Sequence, residues 1–299
     1  MDHVMDAYLE EEIDYSPRSP LKRFWKTFKN IFRTPSAKIG GVIFAIIVLL
    51  AILAPLIAPY DPFDMDLKHT FAGPSLRHLC GTDSYGRDIF SRLLYGARYS
   101  LVLSLCADLF GHAAGVVLGS IAGYFGGKVD MLIMRFCDIW QAIPGTLMTI
   151  IIAASFGAGF VNTIIALSIG AIPGGARMTR GQILAERGKE YLEAAESINC
   201  SKLSLMFSHL LPNVISPTIV GMTMGFGGTM GMAAGLSYLG LGVQPPTPEW
   251  GALLADGSNY ILQYPHVILF PGIAIGLCVL GVNLMGDGVR DALDPKLRR

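Results

Sequence analysis

The chain has 299 residues, of which 52% are hydrophobic and only 15% are charged. Soluble domains average about a quarter charged residues, so this composition excludes an ordinary soluble protein and indicates an integral membrane protein. The formal net charge of zero gives no indication of nucleic-acid binding. The five cysteines contain no Cys-x-x-Cys pair and mostly lie in apolar segments, which predicts packing residues and neither disulfides nor a zinc site.

Residues 1–36 are predicted to form a cytoplasmic tail. Six acidic residues lie within the first 14 positions. Basic and apolar residues then alternate in a pattern typical of a helix on the membrane surface, with Leu21, Phe24, Trp25, Phe28, Ile31 and Phe32 as its apolar set. The charged start is too long for a cleaved signal peptide. The first membrane span is predicted at about 39–58, close to the roughly 20 residues that a bilayer needs.

The loop at 59–99 is polar and rich in turn residues. It contains Gly81-Thr-Asp-Ser-Tyr-Gly-Arg-Asp, followed by a second arginine at Arg92. Asp83 and Asp88 beside Arg87 and Arg92 predict a satisfied polar cluster at the head of the second span, a structural role that we favour over substrate contact. Asp88 and Arg92 have the i, i+4 spacing of a helical ion pair.

Five further spans are predicted at about 100–124, 130–154, 162–178, 214–241 and 267–285, with a second exterior loop beginning at 244. Pro144 should kink span three, because proline removes a helical hydrogen bond and its ring collides with the preceding turn. The glycines of span five predict close contact with other helices, namely Gly225, Gly227, Gly228, Gly231 and Gly235.

Ionisable residues inside the spans are candidates for a translocation path, because an isolated charge in a bilayer is costly. Asp108 and His112 lie one helical turn apart in span two and can pair. Two interpretations are open: the pair lines a passage, or it only fixes helix packing. Asp138 lies nearer the cytoplasmic end of span three and is the third candidate.

The central loop at 179–213 reads as two short helices. In the first, Tyr191, Ala194, Ala195 and Ile198 share one face, with Glu190 and Glu193 on another. Asn199 should end it, because asparagine tolerates the left-handed conformation of a helix cap. Ser201 can begin the second helix, and Pro212 should end it; its predicted apolar set is Leu203, Met206, Phe207 and Leu210.

This loop resembles the Glu-Ala-Ala loop of ABC importer permeases. Glu193-Ala194-Ala195 is followed by Asn199, where the family has glycine, and then by Leu210-Leu211-Pro212. The stretch Gly81-Thr-Asp-x-x-Gly-Arg-Asp-x-x-Ser-Arg92 resembles a segment of the peptide and nickel branch of these permeases. Residues 239–248 and 286–295 resemble the same branch, so the resemblance covers roughly 38–295.

The resemblance implies an all-α type I permease domain with six transmembrane helices at 37–295, followed by a basic end at 296–299. It implies a second homologous permease subunit, two cytoplasmic ATPase subunits that bind ATP and Mg, and an extracytoplasmic binding protein. The cargo would be di- or oligopeptides, with nickel or another small solute as the alternative. In the family this loop docks into the ATPase, which assigns ATPase coupling to Glu190, Glu193, Ala194, Ala195, Asn199, Leu211 and Pro212.

Two other classes compete with the importer. One is a stand-alone proton-coupled secondary transporter that uses Asp108, His112 and Asp138 as a relay. The other is a membrane-embedded enzyme, which the sequence disfavours because it contains no Gly-x-Ser-x-Gly or His-Glu-x-x-His motif. A phosphate-binding Gly-x-x-x-x-Gly-Lys-Ser/Thr loop is also missing, so no cofactor is expected on this chain.

Orientation follows from the distribution of Lys and Arg. Both residue types crowd the N-terminal tail, the central loop and the C-terminus, and neither occurs in the loop at 242–266. This predicts cytoplasmic N and C termini and a cytoplasmic central loop. The loop at 59–99 is the exception, because it carries five basic residues yet must lie outside if the chain has six spans.

Overall fold

The computed structural model of the chain describes residues 31–293. The acidic start, most of the predicted surface helix and the basic end at 296–299 lie outside these residues. Within 31–293 the regular structure is helical, apart from an isolated antiparallel bridge between Thr82 and Asp88. The all-α prediction is therefore confirmed.

Five helices are long and apolar enough to cross a membrane. They are α1 (Pro35–Ile57), α2 (Ile89–Phe125), α5 (Phe160–Glu186), the run from Lys202 to Tyr238 that ends in α8 (Leu211–Tyr238), and α10 (His266–Leu293). A bent pair, α3 (Gly127–Gln141) and α4 (Gly145–Phe156), supplies the sixth span if it counts as one. The shorter helices α6 (Glu190–Ser197), α7 (Lys202–Ser204) and α9 (Trp250–Ser258) belong to the connections, together with a 3-10 turn at Leu67–His69.

Several helices extend beyond the predicted spans. Helix α2 begins at Ile89 instead of near 100, and α5 continues to Glu186 instead of ending near 178. Apolarity marks the stretch that matches the bilayer, but backbone hydrogen bonds and caps set the helix ends. Asp88 shows this at the start of α2, where its side chain accepts a hydrogen bond from the backbone N–H of Ser91 at 2.8 Å.

Span three is broken, not simply kinked. Its two halves meet at 87°, and Pro144 stands directly before α4 with an extended backbone (φ −50°, ψ 131°). Proline has no N–H to donate to the preceding turn, and it disfavours a helical conformation in the residue before it. The prediction at Pro144 is confirmed in position, and the bend divides the span into two helices.

Among the described helices, α2 and α5 contact each other most extensively, and glycines on α2 make their close approach possible. Gly111, Gly115, Gly119 and Gly123 recur every four residues, so they share one face of the helix. A Cβ on Gly111, Gly115 or Gly123 would lie 2.8–2.9 Å from atoms of α5, closer than real side chains allow. Small residues therefore let the two backbones meet, as is typical of membrane helix interfaces.

The glycine prediction for span five is only partly right. A Cβ at Gly227 would lie 2.9 Å from Val279 of α10, and one at Gly225 would lie 3.3 Å from Asp108. At Gly228, Gly231 and Gly235 a Cβ would meet nothing within 4 Å among the described residues, so these three glycines make no close helix contact within the chain. These positions lie on the side of α8 that turns away from the rest of the chain, and the spacing of the glycines does not reveal which side that is.

Helices α1 and α2 are joined by an arginine that compensates for a proline. Pro55 lies inside α1 and has no N–H, so the carbonyl of Ala51 loses its helical donor. Arg98 of α2 donates to that carbonyl from Nε at 2.5 Å and to the carbonyl of Ile52 at 2.8 Å. The freed carbonyl of Ala51 is thereby satisfied by a charged donor from the neighbouring helix.

Candidate functional site

The central loop begins with α6, which is closed by Asn199. Asn199 has φ of 61°, and the N–H of Cys200 donates to the carbonyl of Ala195 at 3.2 Å. This is the left-handed cap that the sequence predicted, with asparagine instead of glycine at the bend. Because the cap fixes the chain direction after α6, Asn199 positions the helix relative to the segment that follows it.

The buried face of α6 differs from the predicted apolar face. Leu192 and Ala195 are buried against Ile183, Leu205 and Leu210, whereas Ile198 is 77% exposed and Ala194 is exposed. The predicted apolar face is therefore divided between a buried and an exposed side, because the position of α6 beneath the ends of α5 and α8 decides which side is covered. The exposed surface consists of Glu190, Glu193, Ala194 and Ile198, and we call it the outer face of the loop.

The second half of the loop is not a separate helix that stops at Pro212. It consists of α7, a π-helical turn at Leu205–Leu210 and then α8, with Pro212 in the first turn of α8. The helix continues through Pro212 after a π turn, in which the N–H of Leu211 donates to the carbonyl of Met206 five residues earlier. The π turn also shifts the buried set: Leu205, Met206 and Leu210 are buried, whereas Leu203 and Phe207 are 62% and 48% exposed.

Tyr191 connects α6 with the two spans on either side of it. Its hydroxyl donates to Glu186 at the end of α5 at 3.1 Å, and it accepts from Asn213 at the start of α8 at 3.3 Å. Burial, reinforced by the hydrogen bond to Glu186, raises the pKa of Tyr191. Lys189 pairs with the same carboxylate at 2.7 Å, which raises the pKa of Lys189. This link could not be predicted from the sequence, because Tyr191 and its two partners lie on three different helices.

Asp108 and His112 are paired inside the helix bundle. The two atoms His112 Nδ1 and Asp108 Oδ1 are 3.3 Å apart, and Asp108 is 3% exposed. Thr229 of α8 contacts the same carboxylate oxygen at 3.4 Å, and Gly225 leaves room for both side chains. The side chain of His112 is 17% exposed. The pairing expected from the i, i+4 spacing is confirmed.

Asp138 lies apart from that pair. Its carboxylate accepts from Arg177 of α5 at 2.8 Å, and both side chains are about half exposed, at 51% and 50%. A second ion pair, between Asp130 and Arg180, ties the start of α3 to α5. The three predicted path residues therefore form two groups, one buried between α2 and α8 and one half exposed between α3 and α5.

The polar cluster before α2 forms and is buried, but its ion pairs differ from the prediction. It is not fully satisfied, because Arg87 Nη2 and Arg92 Nε have no hydrogen-bond partner among the described residues. Asp83 contacts Arg87 Nε at 2.7 Å and Arg92 Nε at 3.6 Å. The predicted helical pair between Asp88 and Arg92 is wrong, because Asp88 caps α2 and instead contacts His78 Nδ1 at 2.9 Å. Near this cluster, burial raises the pKa of Asp256, although the neighbouring Arg87 and Arg92 oppose the shift.

Glu249, directly before α9, is a buried acidic residue that the sequence did not single out. It is 3% exposed and accepts from Ser100 at 2.8 Å, from Ser237 at 3.2 Å and from the N–H groups of Gly251 and Ala252 at 2.9 Å. It therefore caps α9 and joins α9 to α2 and α8. Its only local signal is an acidic residue directly before an apolar helix.

These features define a class: a helical membrane protein with several spans, whose central loop is hydrogen-bonded to the ends of two spans and exposes one face of a short helix. A family described as binding-protein-dependent transport system inner membrane component matches residues 115–299, and the N-terminal TM domain of oligopeptide transport permease C matches residues 19–74. The chain belongs to the family of binding-protein-dependent transport system inner membrane components. It is a permease component of an ABC import system.

The relatives support this assignment over nearly the whole chain. A glutathione transport system permease protein of Escherichia coli is 45% identical over 284 residues, covering 94% of this chain and 92% of the relative. A di/tripeptide transport system permease protein of Pseudomonas aeruginosa is 42% identical, covering 94% and 93%. The inward-facing MetNI methionine ABC transporter matches with a TM-score of 0.56 at 18% identity, covering 67% of this chain and 96% of that one, which shows the shared fold.

Proposed function

We propose that this chain forms half of a translocation path for di- or oligopeptides across the bacterial plasma membrane. Its partners would be a second homologous permease subunit, an extracytoplasmic binding protein that delivers the cargo, and two cytoplasmic ATPase subunits that bind ATP and Mg. The observation that carries the cargo assignment is the set of relatives named for glutathione and di/tripeptide transport, which align with more than nine tenths of the chain.

The outer face of the loop is the proposed contact with an ATPase subunit. Glu190, Glu193 and Ala194 are exposed together on one short helix, and the small side chain at Ala194 leaves space for a partner. The cap at Asn199 and the first turn of α8, which contains Leu211 and Pro212, hold this helix in place. Closure of the ATPases would then pull on α6.

Tyr191 gives a route by which this pull reaches the membrane. Its hydroxyl is bonded to residues at the ends of both α5 and α8, so a displacement of α6 acts on two spans at once. Transport requires that ATP-dependent closure favour one of two arrangements of these spans. The two arrangements would be the inward-open and outward-open states.

The translocation path is proposed to involve both polar groups within the spans. Asp138 and Arg177 are half exposed at their ion pair, so a passing solute can reach them. Asp108 is almost fully covered, and only His112 of that pair has exposed surface. We therefore expect Asp138 to contact cargo directly and the Asp108–His112 pair to act mainly by shaping the helices around it.

The cargo assignment is tested with the complete complex in proteoliposomes, supplied with its binding protein and ATP. We expect ATP-dependent uptake of labelled di- or tripeptides, and no inhibition of that uptake by excess nickel ions. Uptake of nickel without uptake of any peptide would refute the peptide assignment. Transport by this chain without the ATPase subunits would instead support the proton-coupled alternative.

The coupling role is tested by placing a large side chain on the outer face. Ala194→Trp should abolish co-purification of the ATPase subunits and ATP-driven uptake, because the bulky ring occupies the contact surface. The matched control is Ala158→Trp, at an exposed position in the short connection between α4 and α5 at the other end of the spans. If Ala194→Trp retained both assembly and uptake, the outer face would not be the docking surface.

A further inference from the structure

A cavity of about 240 Å³ lies behind the central loop, on the side away from its outer face. Leu192 and Leu210 contribute to an apolar wall, and Tyr124 and Phe125 enter from the end of α2. Arg187 and Lys202 supply the basic groups, one from the end of α5 and one from the start of α7. The cavity therefore combines two positive charges with an apolar surface at the junction of three spans.

The two basic side chains are available to a ligand. Among the residues that the structure describes, neither Arg187 nor Lys202 has a side-chain hydrogen bond or ion pair, and both are exposed. Lys189, two residues from Arg187, is by contrast paired with Glu186 at 2.7 Å. An arginine beside a lysine in a concave site is well suited to an anion with several oxygen acceptors, such as a phosphate group.

The start of α3 adds a third source of positive potential. Gly126 is the N-cap of this 15-residue helix and provides no side-chain cap. Arg187 lies directly beside it: a Cβ on Gly126 would be 3.3 Å from Arg187 Nη1. Unpaired N–H groups and the helix dipole favour anions at such a terminus. The acidic residue of the first turn, Asp130, is already neutralised by Arg180.

An apolar surface extends from the cavity along α3. Phe125 is 46% exposed, and Val129, Leu132 and Phe136 are 42%, 73% and 55% exposed. A free phosphate would use only the basic groups, whereas a phospholipid would use both parts, with its phosphate in the cavity and its acyl chains on this surface. Basic pockets between spans on the cytoplasmic side are recognised sites for anionic lipid headgroups.

We propose that this cavity binds the phosphate of an anionic phospholipid from the cytoplasmic leaflet. The proposal rests on the proposed orientation, in which the central loop is cytoplasmic. A lipid held there contacts the ends of α2, α3 and α5 and the inner side of α6 together. It would therefore strengthen the link between the coupling loop and the spans, and bind more tightly to whichever transport state keeps these elements in contact.

The experiment measures lipid binding to the purified intact complex, returned to phosphatidylcholine nanodiscs with and without phosphatidylglycerol. Native mass spectrometry of the complex released from the discs counts retained phosphatidylglycerol. The test variant is Arg187→Gln with Lys202→Gln. The control is Lys38→Gln with Lys189→Gln, which removes the same charge from exposed positions that do not line the cavity.

We expect the test variant to bind phosphatidylglycerol about 10–30-fold more weakly, the effect of two basic contacts, and the control to bind like the unaltered complex. Arg187→Lys with Lys202→Arg keeps both charges and should retain binding. An equal loss in the control would show a general surface-charge effect and overturn the proposal. Retention of binding by the test variant would overturn it as well.

Two further measurements test whether something other than a lipid occupies the cavity. Displacement of the lipid by inorganic phosphate alone would assign the cavity to a free anion, and lipid binding that appears only after deletion of residues 1–14 would assign it to the acidic tail. Either result overturns the lipid assignment. The binding measurement requires no transport, so failure of peptide uptake or of ATPase docking would be distinguishable from failure of this site.

Discussion

The buried pair Asp108–His112 allows the sharpest test of what a polar group does between these helices. We consider Asp108→Ala, His112→Ala and the double variant. Asp108 is 3% exposed, and besides His112 its carboxylate contacts only Thr229, at 3.4 Å, among the hydrogen bonds of the described residues. Removal of His112 alone therefore leaves a carboxylate enclosed by helices with one weak donor.

The expected magnitude follows from that burial. Removing one member of a buried ion pair costs about 3–5 kcal/mol, whereas removing both is often neutral or stabilising. We therefore expect His112→Ala to lower the free energy of unfolding by about 3 kcal/mol or more and the double variant to lower it by about 1 kcal/mol or less. The coupling energy is the sum of the two single losses minus the loss in the double variant, so it should be about 2 kcal/mol or more.

The assay is a double-mutant cycle by thermal unfolding of the purified complex, with ATPase content and peptide uptake measured on the same preparations. Asp138 and Arg177 provide a matched control, because their ion pair is half exposed. Exposed pairs contribute about 0–1 kcal/mol, so the control cycle should give a small coupling energy. Gly225→Ala is an independent probe, since its Cβ would lie 3.3 Å from the Asp108 carboxylate.

Two outcomes would refute this reasoning in different ways. A coupling energy no larger than that of the control cycle would show that the two side chains do not act as a pair. Normal assembly and unchanged uptake of every peptide by the double variant would show that the pair has no role in the passage. Altered uptake or cargo preference in a fully assembled double variant would assign it to the path.

Three further predictions concern the contacts that hold the helices together and the orientation of the chain in the membrane. Glu249→Ala leaves four donors without their acceptor and should destabilise the complex by about 2–4 kcal/mol in thermal unfolding. Glu249→Gln should have a smaller effect, and equal stability of all three forms would contradict the capping role. Arg98→Ala should destabilise the contact between α1 and α2, and Pro55→Ala should restore part of the loss by returning a donor to the freed carbonyl. Leu76 is 100% exposed and Ile198 is 77% exposed, so cysteines placed there can be labelled in membranes. Leu76→Cys should react with an impermeant thiol reagent from outside, and Ile198→Cys only from the cytoplasmic side. The reverse pattern would overturn the proposed orientation.

The native cysteine of the loop between α1 and α2 is a poor reporter for that labelling experiment. Cys80 is 8% exposed, and burial raises its pKa to about 11. Thiol reagents attack the thiolate, so a thiol with this pKa reacts slowly near neutral pH. Raising the pH towards 11 should increase its labelling, provided the complex remains folded, and substitution with serine should leave the labelling of Leu76→Cys unchanged.

The sequence by itself determined the class of protein, the approximate spans and the position of the central loop. Long apolar stretches are readable because the bilayer imposes a minimum helix length regardless of neighbours. The cap at Asn199, the break at Pro144 and the pairing of Asp108 with His112 were also readable, since each depends on residues within one or two helical turns. Local chemistry is sufficient in such cases.

Only the tertiary structure decided which surfaces are covered and which distant groups meet. Ile198 shares a helical face with Ala195 by spacing, yet one is exposed and the other buried because α5 and α8 cover a single side of α6. The bond of Glu249 with Ser100 and the pairing of Asp138 with Arg177 join residues that are far apart in the chain. Helical periodicity fixes the relative directions of side chains, but which direction faces a neighbour depends on how the helices pack.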